Sequence, residues 1–302
     1  MKTKFWLLPL SLIAFLLISC TSGKQTPSSN PRFDKQAHRG GRGLMPENTI
    51  ASQKMAIDYD CTLEMDLQMS KDKKILVSHD PYFNSDFCLT PQGDTMTKKD
   101  AATRLLYNMN YDSIAKYEIG LKPHPLFPRQ KKMHASKPLL SDLIDAVELY
   151  AKEKHHVNHY NIEIKSQPKN DGRTYSSLEE FVDEALKVVL AKGIAARTMI
   201  QSFDIRALQY VHKKYPSVKT SFLVTKTNKK TTEGYIEELG YLPDVFSPEY
   251  TLVTPELVKS FHRQKVLVIP WTVNTLDEIQ KIKEMGVDGI ITDYPDLFAQ
   301  MK

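Results

Sequence analysis

The chain has 302 residues, of which 41% are hydrophobic and 25% are charged, and its formal net charge is +5. This composition is typical of a globular protein that is long enough to bury a sizeable core. Basic residues are mixed with acidic ones, and clusters such as residues 129–132 (RQKK) have no aromatic residues between them. A nucleic-acid partner is therefore not expected.

The N-terminal segment predicts export. Lys2 and Lys4 precede an apolar run over residues 5–18, which is too short for a comfortable transmembrane helix and is typical of a signal peptide. Residues 17–20 (LISC) are similar to the lipobox of bacterial lipoproteins, in which the cysteine is lipidated. We predict a lipoprotein signal peptide over residues 1–20, with Cys20 as a lipid anchor to the membrane of a bacterial cell envelope. A plain secretory signal is the alternative.

Residues 21–34, which begin with the Ser- and Pro-rich stretch TSGKQTPSSNP, are predicted to be a flexible tether. The anchored domain would then face the periplasm or sit at the outer membrane. The sequence holds no signal for an oligomeric state.

From residue 35 onward, short apolar strands alternate with amphipathic helical patterns, which is typical of a parallel sheet built from βα units. The first strand ends at residues 37–40 (AHRG), and residues 46–49 (PENT) open a helix capped by Asn48 or a neighbour. The second strand, at 62–67, continues into a hairpin. A turn about Asp72 and Lys73 would place Asp66 opposite His79.

Residues 81–138 are predicted to be a long irregular connection with one short helical segment at 111–117, and connections of this length usually shape a functional site. Six further strands are predicted at 161–165, 199–203, 221–224, 245–247, 266–273 and 289–293. Eight strands in βα alternation predict an α/β fold, a (β/α)₈ TIM barrel over residues 35–302. The alternative, an open doubly wound sheet, normally has a Gly-rich phosphate-binding turn after its first strand, and none is present.

Polar residues recur at the carboxyl ends of the predicted strands, where TIM barrels form their active sites. These residues are His38, Arg39, Glu64, Asp66, Glu163, Lys165, Gln201, Ser202 and the stretch 271–274 (WTVN). Glu64, Asp66 and Glu163 offer three oxygen ligands, which suit one divalent cation, Ca²⁺ or Mg²⁺, better than zinc. A salt-bridged cluster with Arg39 and Lys165 is the structural alternative.

The histidines predict acid–base chemistry beside that cluster. His38 and His79 suit proton transfer better than metal ligation, with His38 favoured as the base and His79 as the acid. Arg39 and Lys165 among carboxylates indicate an anionic substrate, most simply a phosphate. Trp271 is interpreted either as barrel packing or as an apolar wall for the substrate.

Two acidic residues have weaker assignments. Glu47 is interpreted either as an acid in the first turn of the helix that PENT opens, where the helix dipole favours it, or as a residue of the site. Asp293 precedes Tyr294 and Pro295 and is expected to be a turn or capping residue and not a catalyst.

The motifs together resemble those of the glycerophosphodiester phosphodiesterase family. In chain order they are His38-Arg39-Gly40, Pro46-Glu47-Asn48-Thr49, Glu64-Met65-Asp66, His79-Asp80, Glu163-Ile164-Lys165, Trp271-Thr272-Val273-Asn274 and Thr292-Asp293-Tyr294-Pro295. The resemblance covers nearly the whole mature chain. It implies a phosphodiesterase-type TIM barrel with a divalent ion on Glu64, Asp66 and Glu163, a His38/His79 acid–base pair, and phosphate held by Arg39 and Lys165.

The activity implied by this resemblance is metal-dependent hydrolysis of glycerophosphodiesters to an alcohol and sn-glycerol 3-phosphate. The connection 81–138 has an unusual content of Lys, Pro and Tyr, and such a segment helps to shape the alcohol pocket. Two alternatives follow: a related phosphodiesterase acting on lysophospholipid or inositol phosphodiesters, and a lipoprotein that keeps the barrel only as a binding module.

Overall fold

A computed structural model describes residues 1–2 and 33–301 of the chain. The predicted lipobox cysteine, Cys20, nearly all of the signal peptide and nearly all of the tether lie outside the described residues. Those assignments remain predictions. Within the part of the chain that the structure describes, no helix is both long enough and apolar enough to cross a bilayer.

Within residues 33–301, eight parallel strands form a nearly closed barrel, which confirms the predicted TIM-barrel fold. The strands are β1 (Asp34–Ala37), β2 (Thr62–Met69), β3 (Ile75–Val77), β4 (Tyr160–Ile164), β5 (Thr198–Ser202), β6 (Lys219–Val224), β7 (Val245–Pro248), β8 (Leu267–Val268) and β9 (Gly289–Thr292). Strand β3 lies outside the barrel and pairs antiparallel with β2; the others follow the order β8-β7-β6-β5-β4-β2-β1-β9.

The barrel closes between β8 and β9 through a few backbone hydrogen bonds. The Asp288 N–H donates to the Val268 carbonyl at 2.9 Å, and the Ile291 N–H donates to the Pro270 carbonyl at 3.0 Å. The regular part of β8 is much shorter than the predicted strand at 266–273. Pro270 has no N–H to donate, which interrupts the ladder at this point.

Helices cover the outside of the barrel. They are α1 (Ile50–Asp58), α2 (Lys98–Thr103), α3 (Tyr111–Ile114), α4 (Leu140–Glu153), α5 (Leu178–Ala191), α6 (Ile205–Lys214), α7 (Thr232–Leu239), α8 (Pro255–Arg263) and α9 (Leu276–Glu284). The cap of α1 is Thr49, the neighbour of Asn48, and it forms a capping box with Ser52. Ser, Thr or Asp side chains also cap the helices α5 to α9, which explains why the helices begin where they do.

Strand β2 shows how the barrel divides its side chains. Every residue of this strand is buried. Leu63, Met65 and Leu67 belong to the large apolar core between strands and helices. Glu64 and Asp66 alternate with them and therefore project from the opposite face, into the barrel interior. The alternation in sequence thus decides which residues pack and which reach the site.

The connection 81–138 has a small core of its own. It contains two helices, α2 and α3, where the sequence predicted one helical segment. Apolar side chains of the connection form a second buried cluster with Leu76 of β3, and Phe83 stacks on Tyr117 within it. The Lys131 N–H donates to the Leu44 carbonyl at 2.8 Å, which ties the connection to the loop between β1 and α1.

The hairpin of β2 and β3 differs by one residue from its predicted register. Leu67 pairs with Val77 and the Ser78 N–H donates to the Asp66 carbonyl at 2.8 Å, so Ser78, and not His79, lies opposite Asp66. The turn is centred on Asp72, because the Ser70 N–H donates to the Lys74 carbonyl at 3.0 Å. The Asp72 carboxylate accepts hydrogen bonds from the Ser70 hydroxyl and the Tyr111 N–H. His79 consequently follows the end of the ladder.

The apolar layer between β7 and α8 gives a prediction about stability. Phe246 is fully buried and stacks on Phe261, with 4.1 Å between ring centroids. Phe246→Ala would leave a cavity, and we expect it to lower the free energy of unfolding in urea by about 3–5 kcal/mol. Leu126→Ala is the matched control, because Leu126 is 73% exposed, and it should change that free energy by about 0.5 kcal/mol or less. Equal effects of the two substitutions would contradict this account of the core.

Candidate active site

Three carboxylates meet at the carboxyl ends of β2 and β4. The parallel register pairs Asp66 with Glu163, and Glu64 precedes Asp66 by two residues on the same face of β2. One carboxylate oxygen from each residue lies within 4.8 Å of the others, and all three residues are buried. The three predicted metal ligands are therefore brought together, and we call them the carboxylate cluster.

Fixed donors hold two members of the carboxylate cluster in place. Glu64 accepts hydrogen bonds from the Arg39 N–H at 2.5 Å and from the Gln201 side-chain amide at 2.8 Å. The Asn48 amide donates to Asp66 Oδ2 at 2.8 Å. Asp66 Oδ1, in contrast, is buried without a hydrogen-bond partner among residues 33–301, although Lys165 Nζ lies 3.8 Å from it. A carboxylate oxygen in this condition fits a bound hard cation, and so does the all-oxygen donor set.

The pKa values in the cluster reflect the crowding of negative charge. Burial and the nearby Asp66 raise the pKa of Glu64 well above its ordinary value. Burial also raises the pKa of Glu163, despite the ammonium of Lys165. Burial opposes ionisation of Asp66 as well, but Arg39 and the other nearby cations outweigh it and lower the pKa of this carboxyl. A divalent cation would relieve the remaining repulsion.

Arg39 and Lys165 supply the positive charge beside the cluster. Arg39 Nη1 donates to both oxygens of Glu47, at 3.0 and 3.2 Å, and Arg39 Nε lies 3.3 Å from Asp66 Oδ2. Lys165 Nζ lies 2.9 Å from Glu163 Oε1. Glu47 lies before α1 and before its cap, Thr49, and it binds the Arg39 guanidinium. The interpretation of Glu47 as an acid in the first turn of the helix was therefore wrong.

His38 belongs to a hydrogen-bond network at the carboxyl ends of β1 and β9. Its Nδ1 lies 2.6 Å from Asp293 Oδ1, and Asp293 also accepts hydrogen bonds from Arg42 Nε at 2.7 Å and Asn274 Nδ2 at 2.8 Å. Asp293, expected to be a turn or capping residue and not a catalyst, lies in a bend after β9 and is in addition the carboxylate that orients His38. Burial lowers the pKa of His38 to about 4, even though Asp293 acts in the opposite direction.

His79 forms a second imidazole–carboxylate pair, with its neighbour in sequence. Its Nδ1 lies 2.8 Å from Asp80 Oδ1, and Asn84 donates to Asp80 Oδ2 at 3.0 Å. The side chain of His79 is 31% exposed, compared with 14% for His38. The two imidazoles therefore differ in contact with solvent although each is held by a carboxylate.

One cavity of about 140 Å³ connects these groups. It is lined by all the predicted site residues except Asp66, together with Arg42, Gln201, Phe203, Leu223, Thr272 and Ile291. Trp271 is held by a 2.9 Å hydrogen bond from Nε1 to the Ser247 carbonyl and meets the Phe203 ring edge to face, at 5.3 Å between centroids. These two rings form an apolar wall of a cavity that is also lined by charged side chains, among them Arg39, Glu163 and Lys165.

A larger cavity, of about 440 Å³, lies away from this site, between the loop before α5 and helix α6. Arg206, which lines it, is already paired with Asp171 and Asp204. Its charge is satisfied within the protein, and the groups of the carboxylate cluster are absent from the lining. It does not compete with the first cavity as the centre of the chemistry.

Several residues of the site were not assigned by sequence reasoning. Arg42 and Asn48 lie in the loop between β1 and α1. Their residue types are common on protein surfaces, so the sequence alone does not mark them as residues of the site. Asp80 follows His79 directly, which was a usable signal. Asp293 ends the eighth barrel strand, and the rule that strand ends carry the site would have found it.

Fold and site together define a class of protein, a TIM-barrel enzyme with a carboxylate cluster suited to a metal ion and two imidazole–carboxylate pairs. A model of the glycerophosphoryl diester phosphodiesterase family matches residues 38–297, and the chain belongs to this family. It is an enzyme, a phosphoric diester hydrolase. The resemblance inferred from the sequence motifs is confirmed.

Individual proteins agree with this assignment. The chain is 28% identical to the glycerophosphodiester phosphodiesterase of Bacillus subtilis, over 98% of this chain and 96% of that one. A structure from Silicibacter pomeroyi, named as a candidate glycerophosphoryl diester phosphodiesterase, has a TM-score of 0.80 and 27% identity and covers 89% of this chain and 93% of that one. An Oleispira antarctica phosphodiesterase, solved in complex with the product sn-glycerol-3-phosphate, shares the fold, with a TM-score of 0.67 and 19% identity over 88% and 95% of the two chains.

The low pKa of His38 predicts a pH-dependent stability. The unfolded chain has the ordinary pKa of 6.5 and the folded protein a pKa of about 4, so the unfolded chain binds more protons between these values. His38 therefore contributes stability that is present above pH 6.5 and is lost as the pH falls towards 4, by about 3 kcal/mol. Urea denaturation of metal-free protein should show this loss relative to His38→Gln. Parallel pH curves for the two proteins would contradict the prediction.

Proposed function

We propose that the protein hydrolyses glycerophosphodiesters to an alcohol and sn-glycerol 3-phosphate, using one divalent cation and two histidines. The observation that carries the proposal is the convergence of the carboxylate cluster, the His38–Asp293 pair and the His79–Asp80 pair on one small cavity. Membership of the family supports the same reaction. The O. antarctica relative, solved with sn-glycerol-3-phosphate, supports this choice of product.

Ca²⁺ or Mg²⁺ is the proposed cation, with Glu64, Asp66 and Glu163 as its ligands. The donor set consists of hard oxygens, and among the described residues the buried Asp66 Oδ1 has no hydrogen-bond partner, the nearest cation being Lys165 Nζ at 3.8 Å. When bound, such a cation supplies positive charge that offsets the negative charge developing on the phosphoryl group.

Arg39 and Lys165 are proposed to bind the phosphate together with that site. Both line the cavity, and their ion pairs with Glu47 and Glu163 hold them where their charge is available without a further rearrangement. Trp271 lies on the apolar side of the same cavity, beside Phe203. We assign it to the carbon atoms of the substrate, because an aromatic face excludes water from that side.

The histidines are proposed to divide the proton transfers. With a pKa of about 4, His38 is neutral at neutral pH, and its contact with Asp293 through Nδ1 leaves Nε2 as the acceptor. His38 is therefore the base that removes a proton from the attacking hydroxyl. His79, held through Nδ1 by Asp80, protonates the departing alkoxide from Nε2. The attacking hydroxyl belongs either to water or to the neighbouring glycerol carbon, and the second route passes through a cyclic phosphate.

Product analysis tests this function. Purified protein would be incubated with glycerophosphocholine, glycerophosphoethanolamine, glycerophosphoinositol and a lysophospholipid, with EDTA and after readdition of Ca²⁺ or Mg²⁺. We expect release of sn-glycerol 3-phosphate that EDTA abolishes and a metal restores. Phosphorus NMR during turnover detects a cyclic phosphate if that route is used. Binding of these diesters without release of any product would instead support the binding-module alternative.

Substitution of either histidine should uncouple chemistry from metal binding. General acid–base catalysis contributes roughly 10²–10⁴-fold, so His38→Ala and His79→Ala should each lose about that much in kcat. Calorimetry should still detect metal binding, because neither residue is a proposed ligand. Each variant should also lose one limb of a bell-shaped pH–rate profile. His155→Ala, at an exposed histidine before β4, is the matched control; near-full turnover of both site variants would sink the two-histidine mechanism.

Export and lipidation at Cys20 are proposed from the sequence, which would place the barrel on a membrane of the cell envelope. One acyl chain gives marginal membrane binding and two or more give stable binding. Cys20→Ala should therefore move the protein from the membrane fraction to the soluble fraction of lysed cells. Ser22→Ala, two residues away, controls for a general effect on processing. A Cys20→Ala protein that stays entirely in the membrane fraction would show that the anchor assignment is wrong.

A further inference from the structure

Lys137 is a buried lysine at the end of the connection, just before α4. Only 4% of its surface is exposed, and its Nζ donates a 2.7 Å hydrogen bond to Ser78 Oγ. Among residues 33–301, no carboxylate forms an ion pair with it. An ammonium group is costly to bury without a counter-ion, and lysines usually keep the charged end in water. The Phe83 ring, 5.7 Å from Nζ, compensates only in part.

The partner of Lys137, Ser78, directly precedes the His79–Asp80 pair in sequence. Ser78 Oγ accepts from Lys137 and donates to the Asp80 carbonyl at 2.9 Å. The Ser78 N–H donates to the Asp66 carbonyl at 2.8 Å, so the same residue ends the β2–β3 ladder. His79 lies beyond this last rung, and its own carbonyl accepts from the Gln68 amide at 2.9 Å. The hydrogen bond from Lys137 thus connects the connection to the segment that carries His79.

The charge of Lys137 also acts on Asp80. Burial opposes ionisation of Asp80, but the hydrogen bond from His79, the charge of His79 and the charge of Lys137 outweigh it and lower the pKa of Asp80 to about 2. The carboxylate is therefore fully ionised at neutral pH, as it must be to hold Nδ1 of His79. Lys137 and Asn84, which donates to Asp80 Oδ2, come from the connection outside the hairpin, and of these two only Lys137 carries a charge.

We propose that Lys137 is a positioning residue for the phosphodiesterase reaction: its buried ammonium fixes the segment Ser78–Asp80 and so holds the His79 imidazole at the mouth of the cavity. This inference rests on the proposed role of His79 and goes beyond it. It gives the long connection a defined part in the chemistry.

The charged and titratable groups around the His79–Asp80 pair determine how removal of the Lys137 charge affects it. Among the described residues, Asp80 is faced by His79, Lys137, Tyr82 and Cys88. His79 is faced by Asp80, Glu47, Asp66 and Glu163. Loss of the Lys137 charge removes one cation from the surroundings of Asp80. The pKa of Asp80 should then rise, because its ionised form is less stabilised.

The test uses full-length, Mg²⁺-loaded protein with glycerophosphocholine as the substrate. Lys137→Met removes the charge and keeps an unbranched apolar stem; we expect kcat to fall about tenfold with little change in KM, because a misplaced imidazole affects the reaction more than binding. Carbon-13 NMR of the carboxyl groups, with Asp80→Asn for assignment, should show the pKa of Asp80 raised by about one unit. Lys137→Arg, which keeps a cation, should restore most of kcat.

Two further variants complete the test. Lys132→Met removes an exposed lysine of the same connection, so it matches the change in net charge and should leave kcat and the Asp80 pKa unchanged. Ser78→Ala removes both hydrogen bonds of Ser78 Oγ, from Lys137 and to the Asp80 carbonyl, but keeps the ammonium, and it should lower kcat. Its kcat is the readout if Lys137→Met does not fold. Wild-type kcat in Ser78→Ala, or in a folded Lys137→Met, would overturn this inference alone. A wild-type protein without activity would overturn the proposed function instead.

Discussion

The burial of three carboxylates side by side is the interaction on which the rest of the structure depends. Charges of one sign repel strongly where water is excluded, and their desolvation adds to the cost. Hydrogen bonds from the protein offset part of this cost: the Arg39 N–H and the Gln201 amide donate to Glu64, and the Asn48 amide donates to Asp66. Arg39 and Lys165 add fixed positive charge, and Asp66 Oδ1 stays without a hydrogen bond. The barrel is thus built around a carboxylate cluster that could hold a cation.

The two imidazole–carboxylate pairs are built in different ways. His38 and Asp293 are 255 residues apart, at the ends of β1 and β9, so their contact forms only when the first and last strands of the barrel are paired. His79 and Asp80 are neighbours in sequence and lie just beyond the hairpin. One pair therefore depends on the pairing of β1 with β9, and the other depends on the elements packed against the β2–β3 hairpin.

The connection 81–138 supports the second pair and borders the first. Its own apolar cluster makes it a small packed unit and not a loose loop. At one end it places Lys137 under the hairpin. Near its middle, Phe127 lies 4.8 Å from the Arg42 guanidinium, which itself binds Asp293. The connection thus contacts the neighbours of both pairs, Ser78 and Arg42, while its core is separate from the barrel core.

The sequence by itself determined the features that follow from local periodicity and side-chain chemistry. The alternation around Glu64 and Asp66, and the polar residues at strand ends, predicted the barrel and the carboxylate cluster, since a strand repeats every two residues. Only the tertiary structure decided that Asp293 orients His38 and that Glu47 clamps Arg39. These contacts depend on how separate segments of the chain meet. The register of the hairpin was likewise decided only by the structure. The local sequence does not show which segments meet in the fold, because the same residues suit a turn or a helix cap equally well.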